Sequence, residues 1–321
     1  MVVEVENQVI TDDYCLYHGD CIEGIKGLHN DSIGFSIFSP PFADLYAYSD
    51  DYRDLSNCKS YEEFFEHFGF LAKELLRVMM PGRVVAVHCM DLPTYKRSGE
   101  EIGCKDFSGD IVRLFRKVGF VYHCPRITIW KDPLVAATRT KAIGLAHKQI
   151  VKDSSMCRTG FADYIIAFRK KGENPKPVSH KQGLTQYHGA RNVPSNFDMF
   201  EDWEGEQKVN KRSHWIWQRY ASPVWDDIRQ TYVLPYREAK GNEDEKHICP
   251  LQLDAIERCV ELWSVEGDIV LTPFMGVGSE VYVAVKNGRK GVGFELKGSY
   301  FKQAVRNVKQ AKKQRAEGFM L

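Results

Sequence analysis

Two short stretches of this 321-residue chain hold residue types whose spacing suits chemistry on a flat ring that carries an amino group. The first is Phe38-Ser39-Pro40-Pro41-Phe42. It follows the apolar run Ile33 to Phe38, which reads as a buried strand, so it falls at a strand's carboxyl end, the edge where open α/β sheets bind ligands. The two prolines stiffen the turn and fix the direction of its carbonyls, while Ser39 offers a hydroxyl and Phe42 an aromatic face. A ring-conjugated amino nitrogen is a poor nucleophile because its lone pair is delocalised. Hydrogen bonds accepted from it by the Ser39 hydroxyl and the Pro40 carbonyl would draw the nitrogen toward tetrahedral geometry and free that pair. An aromatic platform contributes roughly 1–3 kcal/mol per stacked base, which offsets part of the few kcal/mol that unstacking a base costs. The bland alternative for this tetrapeptide is a rigid strand-to-helix turn.

The second stretch runs from Asp268 to Ser279: a strand, a turn carrying Gly276 and Gly278, then a helix. Glycines there let backbone approach a ligand at a helix amino terminus. Glu295 ends the next apolar run, Lys290 to Phe294, and a carboxylate in that place can accept hydrogen bonds from two ribose hydroxyls. A surface or helix-capping acid is the alternative. The third glycine of a dinucleotide-binding Gly-x-Gly-x-x-Gly is missing, with Val281 in its place, which argues against a nicotinamide dehydrogenase.

The elements that must position these residues alternate along the chain. Tyr14 to Tyr17, Ile33 to Phe38, Arg83 to His88, Phe120 to Trp130, Tyr164 to Phe168, Asp268 to Leu271 and Lys290 to Phe294 read as buried strands. Ser60 to Met79 opens on a capping box, Ser60 with Glu63, carries Phe64, Phe65, Phe68, Leu71, Leu75 and Met79 at helical spacing, and is closed by Pro81-Gly82. Leu251 to Trp263, Ser279 to Lys286 and Ser299 to Gln314 read as further helices. The alternation implies a doubly wound, mostly parallel α/β sheet. From Gly172 to about Ala221 the pattern lapses into Asn, Pro, Gly, His and Trp without periodicity, as an inserted module would.

Composition bounds the rest. With 43% hydrophobic residues the chain can bury one large core and an appended module. The 44 Lys and Arg nearly cancel the 43 Asp and Glu, so any polyanion-binding surface must be local. One candidate is Lys131 to Lys171, where Lys131, Arg139, Lys141, Lys148, Lys152, Arg158, Arg169, Lys170 and Lys171 face only three acids; an ordinary solvated face is the alternative. The nine cysteines, at 15, 21, 58, 89, 104, 124, 157, 249 and 259, form no Cys-x-x-Cys pair or zinc-type cluster, so free thiols and no metal are expected. The acidic amino terminus does not resemble a targeting segment and no apolar run reaches membrane-spanning length, so a cytoplasmic protein without a membrane partner is expected.

Ser39-Pro-Pro-Phe42 resembles the catalytic motif of DNA amino-methyltransferases, and Thr272-Pro-Phe-Met-Gly-Val-Gly278 resembles their Asp-Pro-Phe-x-Gly-x-Gly cofactor motif. The catalytic motif comes first here, which is the permuted β order of that family, and the layout is similar to that of enzymes carried by phages and prophages. The resemblance extends to His18-Gly-Asp20-Cys21, like the acidic turn near the cofactor's adenine; to His247-Ile-Cys-Pro250, like the segment before the cofactor strand; and to Gly293-Phe-Glu295-Leu296 with Tyr300-Phe301, like the strand and helix holding the ribose. It implies an S-adenosylmethionine-dependent methyltransferase fold divided into a catalytic part (1–171), a target-recognition insert (172–221) and a cofactor-binding part (222–321). It implies S-adenosylmethionine as cofactor, bound by Asp20, Cys21, His247, Thr272, Phe274, Gly276, Gly278, Ser279 and Glu295, and Ser39, Pro40, Pro41 and Phe42 as the catalytic segment. Double-stranded DNA is the implied partner, touched on its phosphates by Lys131, Arg139, Lys141, Lys148 and Arg158, with the enzyme a monomer or homodimer in a bacterial or phage-infected cell.

Three departures stand out. Thr272 replaces a common Asp, Cys249-Pro250-Leu251 a frequent Gln-Lys-Pro, and Ser279-Glu280 a frequent Thr. Family members acting on adenine N6 usually carry Asp at the position of Ser39 and those acting on cytosine N4 often carry Ser, so cytosine N4 is the expected target, with adenine N6 as the alternative. A non-catalytic DNA-binding relative disabled at Thr272 is the reading from another class.

Overall fold

The computed structural model describes residues 5–42, 53–94, 99–134, 147–197, 206, 208–239 and 250–318. Among the described residues nine strands form one sheet. In chain order they are β1 (Asn7–Ile10), β2 (Tyr14–His18), β3 (Ile33–Phe38), β4 (Met79–Met90), β7 (Val121–Ile129), β8 (Asp163–Arg169), β9 (Val224–Trp225), β10 (Ile269–Thr272) and β11 (Lys290–Glu295); β5 (Leu92–Thr94) and β6 (Gly103–Lys105) make a separate pair. The large sheet runs β1-β2-β11-β10-β3-β4-β8-β7-β9. Its central neighbours, β2 to β11, β11 to β10, β10 to β3 and β3 to β4, are all parallel, whereas β8 runs antiparallel to both β4 and β7.

Helices cover both faces. Buried residues of β3 are divided between the two faces, Phe35 and Ile37 joining one core and Ile33, before a register shift, and Phe38 the other, as a strand covered on both sides requires. On one face pack α1 (Cys21–Lys26), α2 (Tyr61–Val78) and α3 (Phe107–Val118); on the other α6 (Leu253–Trp263), α7 (Ser279–Lys286) and α8 (Gly298–Gly318). The short α4 (Lys148–Lys152) lies exposed, and α5 (Lys211–Tyr220) belongs to the segment expected as an insert. The doubly wound, mostly parallel sheet expected from the alternation of strands and helices is therefore present.

Half of the expected capping box of α2 forms: Ser60 Oγ accepts from Glu63 N at 3.1 Å, while the Glu63 side chain reaches past the cap to the backbone N–H of Lys59. The spacing predicts that Pro81-Gly82 close this helix, and they do not. The helix ends at Val78 and both residues lie inside β4, where the ladder with β3 shifts register and Gly82 takes φ +72°.

Residues 172–221 are also less separate than their composition predicts. Arg83, fully buried, donates to the carbonyls of Gly34 and Lys176 and pairs with Asp268, and Lys176 Nζ lies 3.1 Å from Asp268, so this segment starts at the amino-terminal edge of the sheet. It then packs Leu184, Ile216 and Tyr220 against Leu262 of α6. Arg258 of α6 is buried among the rings of Tyr187, Tyr220 and Trp225 and bonds Asp227 at 2.8 Å. Asp227 lies just past this segment; Arg258 Nε donates to the His188 carbonyl at 2.7 Å and the Tyr187 hydroxyl donates to Asp227, and these bonds fasten the segment to the cofactor half of the protein.

Candidate active site

Because β2, β11, β10, β3 and β4 are parallel neighbours, their carboxyl ends line one edge, and both motifs arrive there side by side. Val270 and Leu271 pair with Phe35 and Ser36, the Ser36 hydroxyl donates to the Leu271 carbonyl at 2.9 Å, and the Phe38 and Phe274 rings meet at 5.8 Å.

On the cofactor side, Glu295 accepts from Gly276 N at 2.8 Å and from Lys297 N at 2.7 Å. Each carboxylate oxygen keeps a further lone pair for a ligand hydroxyl. Burial pushes this carboxyl up to about 7. Gly276 takes φ +53°, and a Cβ built there would meet nothing within 4 Å among the described residues, so the turn is open on their side. Gly278 is different. A Cβ there would lie 3.1 Å from Ala304 and 3.2 Å from Val308, so close packing of α8, not room for a ligand, excludes a side chain. Asp20 caps α1 by accepting from Glu23 N at 2.9 Å, and burial raises its carboxyl above the usual range. Gly19 N bonds the Glu295 carbonyl at 3.0 Å, which holds this turn against the end of β11. Cys21, the first residue of α1, is buried, and burial pushes its thiol well up. Thr272 Oγ1 is buried without a hydrogen-bond partner among the described residues, Phe274 is half-buried, and Ser279 opens α7. An open glycine turn, an orphaned hydroxyl and a carboxylate with spare lone pairs suit a polar, nucleoside-bearing cofactor. His247 lies outside the described residues.

On the other side, β3 delivers Ser39 to the same edge, and Phe42 packs 6.5 Å from His88 and edge-on to Phe107 at 6.2 Å. The Ser39 hydroxyl lies 3.1 Å from His88 Nδ1. His88 Nε2 lies 3.1 Å from Asp163 Oδ2, on which the Lys131 ammonium also closes. Burial would raise the Asp163 carboxyl, but His88 and Lys131 outweigh it and hold it below the usual carboxylate range. The reversal of β8 makes this line of groups possible: an antiparallel strand begins at the edge where its neighbours end, so Asp163 meets β4 at Met90, two residues beyond His88.

His88 and Asp163 were not among the residues expected to act. The available signal was position, since each bounds an apolar run. Lys131, expected on DNA phosphates, is instead committed to Asp163. Arg158 donates to the Gly103 carbonyl at 2.8 Å and is half-buried. Lys148 is exposed, and Arg139 and Lys141 lie outside the described residues. The expected basic run is therefore not one surface. β8 passes through it as a core strand and carries Arg169 to the opposite edge, where Lys170 pairs with Asp31. Glu280, in the first turn of α7, is a further buried acid, pushed up to about 8 by burial.

Residues 33–306 match the model of the DNA methylase family that covers N6 and N4 methyltransferases. The chain belongs to this family. Family members are S-adenosylmethionine-dependent methyltransferases. The chain is 24% identical over 296 residues to the type II methyltransferase M.BamHI of Bacillus amyloliquefaciens, covering 92% of this chain and 57% of that protein. It is 32% identical over 220 residues to the DNA adenine methyltransferase YhdJ of Escherichia coli K12, covering 60% of this chain and 72% of that one. Among solved structures, the cytosine-N4-specific PvuII DNA methyltransferase shares the fold with a TM-score of 0.61 at 14% identity, over 98% of this chain and 97% of that chain. Among the described residues no helix is long and apolar enough to cross a membrane, and no three ligand-type side chains are grouped to hold a metal.

Proposed function

We propose that this chain transfers the methyl group of S-adenosylmethionine to the exocyclic amino nitrogen of a base turned out of duplex DNA, with cytosine N4 as the target. The observation that carries the reading is the adjacency of β3 and β10, which sets the Ser39 turn beside the Gly276 and Glu295 turn on one sheet edge. When bound, S-adenosylmethionine supplies an electrophilic methyl on a positively charged sulfur. The Glu295 carboxylate holds the ribose, the Asp20 turn borders the adenine, and the open side of Gly276 leaves room for the chain that carries the sulfur. Ser39 Oγ and the Pro40 carbonyl accept from the amino group of the base and aim its lone pair. Positioning two reactants in this way is worth up to about 7–11 kcal/mol. No covalent enzyme intermediate is needed, so no cysteine need be catalytic.

Cytosine is favoured because Ser39 presents a neutral hydroxyl in place of the carboxylate usual in adenine enzymes. YhdJ is named for adenine and the PvuII enzyme for cytosine N4, so likeness supports either base. Residues 172–221, with α5 and its exposed Trp217, are the segment proposed to read the DNA word, while Lys148 contacts phosphate. Mass spectrometry of nucleosides from duplex DNA treated with the protein and S-adenosylmethionine tests the proposal. N4-methylcytosine is expected. N6-methyladenine alone overturns the base assignment, and no methyl transfer together with no calorimetric heat for S-adenosylmethionine identifies a non-catalytic relative.

A further inference from the structure

We infer that His88 is a positioning residue for methyl transfer: its Nδ1 takes the one proton of the Ser39 hydroxyl, so that Ser39 faces the base only as an acceptor, and it then receives the proton shed by the base nitrogen. The inference rests on the proposed base methylation. A serine hydroxyl has one donor and two acceptor lone pairs, and left free it can satisfy either an amino or a keto edge. At 3.1 Å from His88 Nδ1 its donor is spent, provided that Nδ1 is bare. The far side of the ring supplies that condition. Nε2 lies 3.1 Å from the Asp163 carboxylate, without the alignment of a hydrogen bond but near enough for the negative charge to favour the single ring proton on that nitrogen. Lys131 closes on the same Asp163 oxygen, so the carboxylate is already matched by a cation.

The groups that face His88 come from every neighbouring element. They are the Ser39 turn and Phe42 after β3, Asp163 at the head of β8, and Lys131 after β7. Asp91 beyond β4 and Arg126 on β7 lie farther out in the same charged neighbourhood. His88 is 7% exposed, so bulk water does not compete freely for Nδ1.

Two consequences follow. With only lone pairs turned outward, Ser39 matches the amino group of cytosine or adenine and opposes the keto oxygen of thymine or guanine, where two acceptors would meet without a proton. In the transfer itself, the amino nitrogen's lone pair forms the bond to the methyl carbon as the carbon–sulfur bond breaks and its electron pair stays on sulfur. The nitrogen is left with one surplus proton and a positive charge. That proton passes to Ser39 Oγ as the hydroxyl's own proton moves to His88 Nδ1, leaving a neutral methylated base, an intact serine and an imidazolium facing Asp163, which later releases its proton to water.

Nitrogen NMR of histidine-labelled protein without substrates tests the ground state. An Nε2–H tautomer for His88, with a signal that moves in Ser39→Ala, is expected; an Nδ1–H tautomer overturns the inference. Single-turnover methylation tests the transfer. His88→Ala should lose about a hundredfold in rate, lose the acid limb of the pH profile, keep its S-adenosylmethionine affinity and recover part of its rate with added imidazole. A wild-type rate, or a loss that keeps the acid limb and resists imidazole, overturns it. Should His88→Ala fail to fold, His88→Asn can still accept from Ser39 but cannot take its proton, and a wild-type rate there overturns the inference equally. If the wild-type protein transfers no methyl group to DNA, the methylation reading fails, while the tautomer still decides the relay.

Discussion

The two halves of the binding edge are built in opposite ways. Most of the cofactor half comes from residues 268–296, one strand-turn-helix-strand unit in which Gly276 and Glu295 are joined by a hydrogen bond of 2.8 Å, with the Asp20 turn after β2 held against its end. The base half is assembled from four separated segments, which bring Ser39, His88, Lys131 and Asp163 together. Local backbone geometry suffices for the first. The second depends on strand register. His88 lies opposite Ile165 and Met90 opposite Asp163, so a slip of one residue between β4 and β8 would turn Asp163 to the other face of the sheet. Most of the cofactor half can thus be encoded in one contiguous stretch, whereas holding a proton acceptor behind a serine requires strands from across the sheet.

The contrast can be broken most sharply at Ser39. Ser39→Ala should lower turnover by about 10²–10³, as removal of a single hydrogen-bonding group at a reacting centre does, and leave calorimetric affinity for S-adenosylmethionine within about twofold, a split that marks an interaction made in the transition state. An equal fall in affinity would show that the two halves do not act separately.

The glycines divide the cofactor half itself. Gly278→Ala must push against Ala304 and Val308 at φ +91°, and unfolding experiments should show a loss of about 1–3 kcal/mol, the usual cost of overpacking. Gly276→Ala has open space and only its φ of +53° to bear, so it should lose less stability and more cofactor affinity. Reversed effects would reassign the two positions.

Glu295→Ala should weaken S-adenosylmethionine binding about tenfold, or about 1.4 kcal/mol. The pH dependence has a definite sign. Burial raises the folded carboxyl to about 7, above its unfolded value, so ionisation removes stability from the unliganded protein as pH rises from the ordinary carboxylate range through about 7. Ribose hydroxyls donate to the ionised form, so binding should expel a proton below that pH, and affinity should climb with pH and level off near 7. Glu295→Gln should flatten this rise. Calorimetry in buffers of different ionisation heat counts the proton directly.

The smallest expected effect compares two lysines. Lys148→Ala should reduce the slope of DNA affinity against salt by about one unit, because Lys148 is exposed. Lys131→Ala should leave that slope unchanged and lower turnover instead, because its ammonium is held by Asp163. Equal salt effects would return Lys131 to the phosphate surface.

Much of this protein was legible in the residues themselves. Alternating apolar runs and helical periods specify an α/β sheet, because a strand buried on both faces and a helix buried on one have different repeats. The turn after β3 and the turn after β10 could be read because proline and glycine act on their own backbone, and Glu295 because it ends the very next strand. Other features needed the fold. Pro81-Gly82 read as a helix stop, but pairing with β3 and β8 drew them into β4, where a bulge absorbs them. Gly278 read as space for a ligand until α8 was seen to fill that space. Composition alone could not separate the charges of Lys131 to Lys171, since only the antiparallel course of β8 sends Lys131 and Arg169 to opposite edges. The same reversal set an aspartate far along the chain behind the histidine that faces Ser39. Chemistry encoded by neighbours in sequence is fixed by local torsions, while chemistry encoded by neighbours in space exists only once strand order, direction and register have been set.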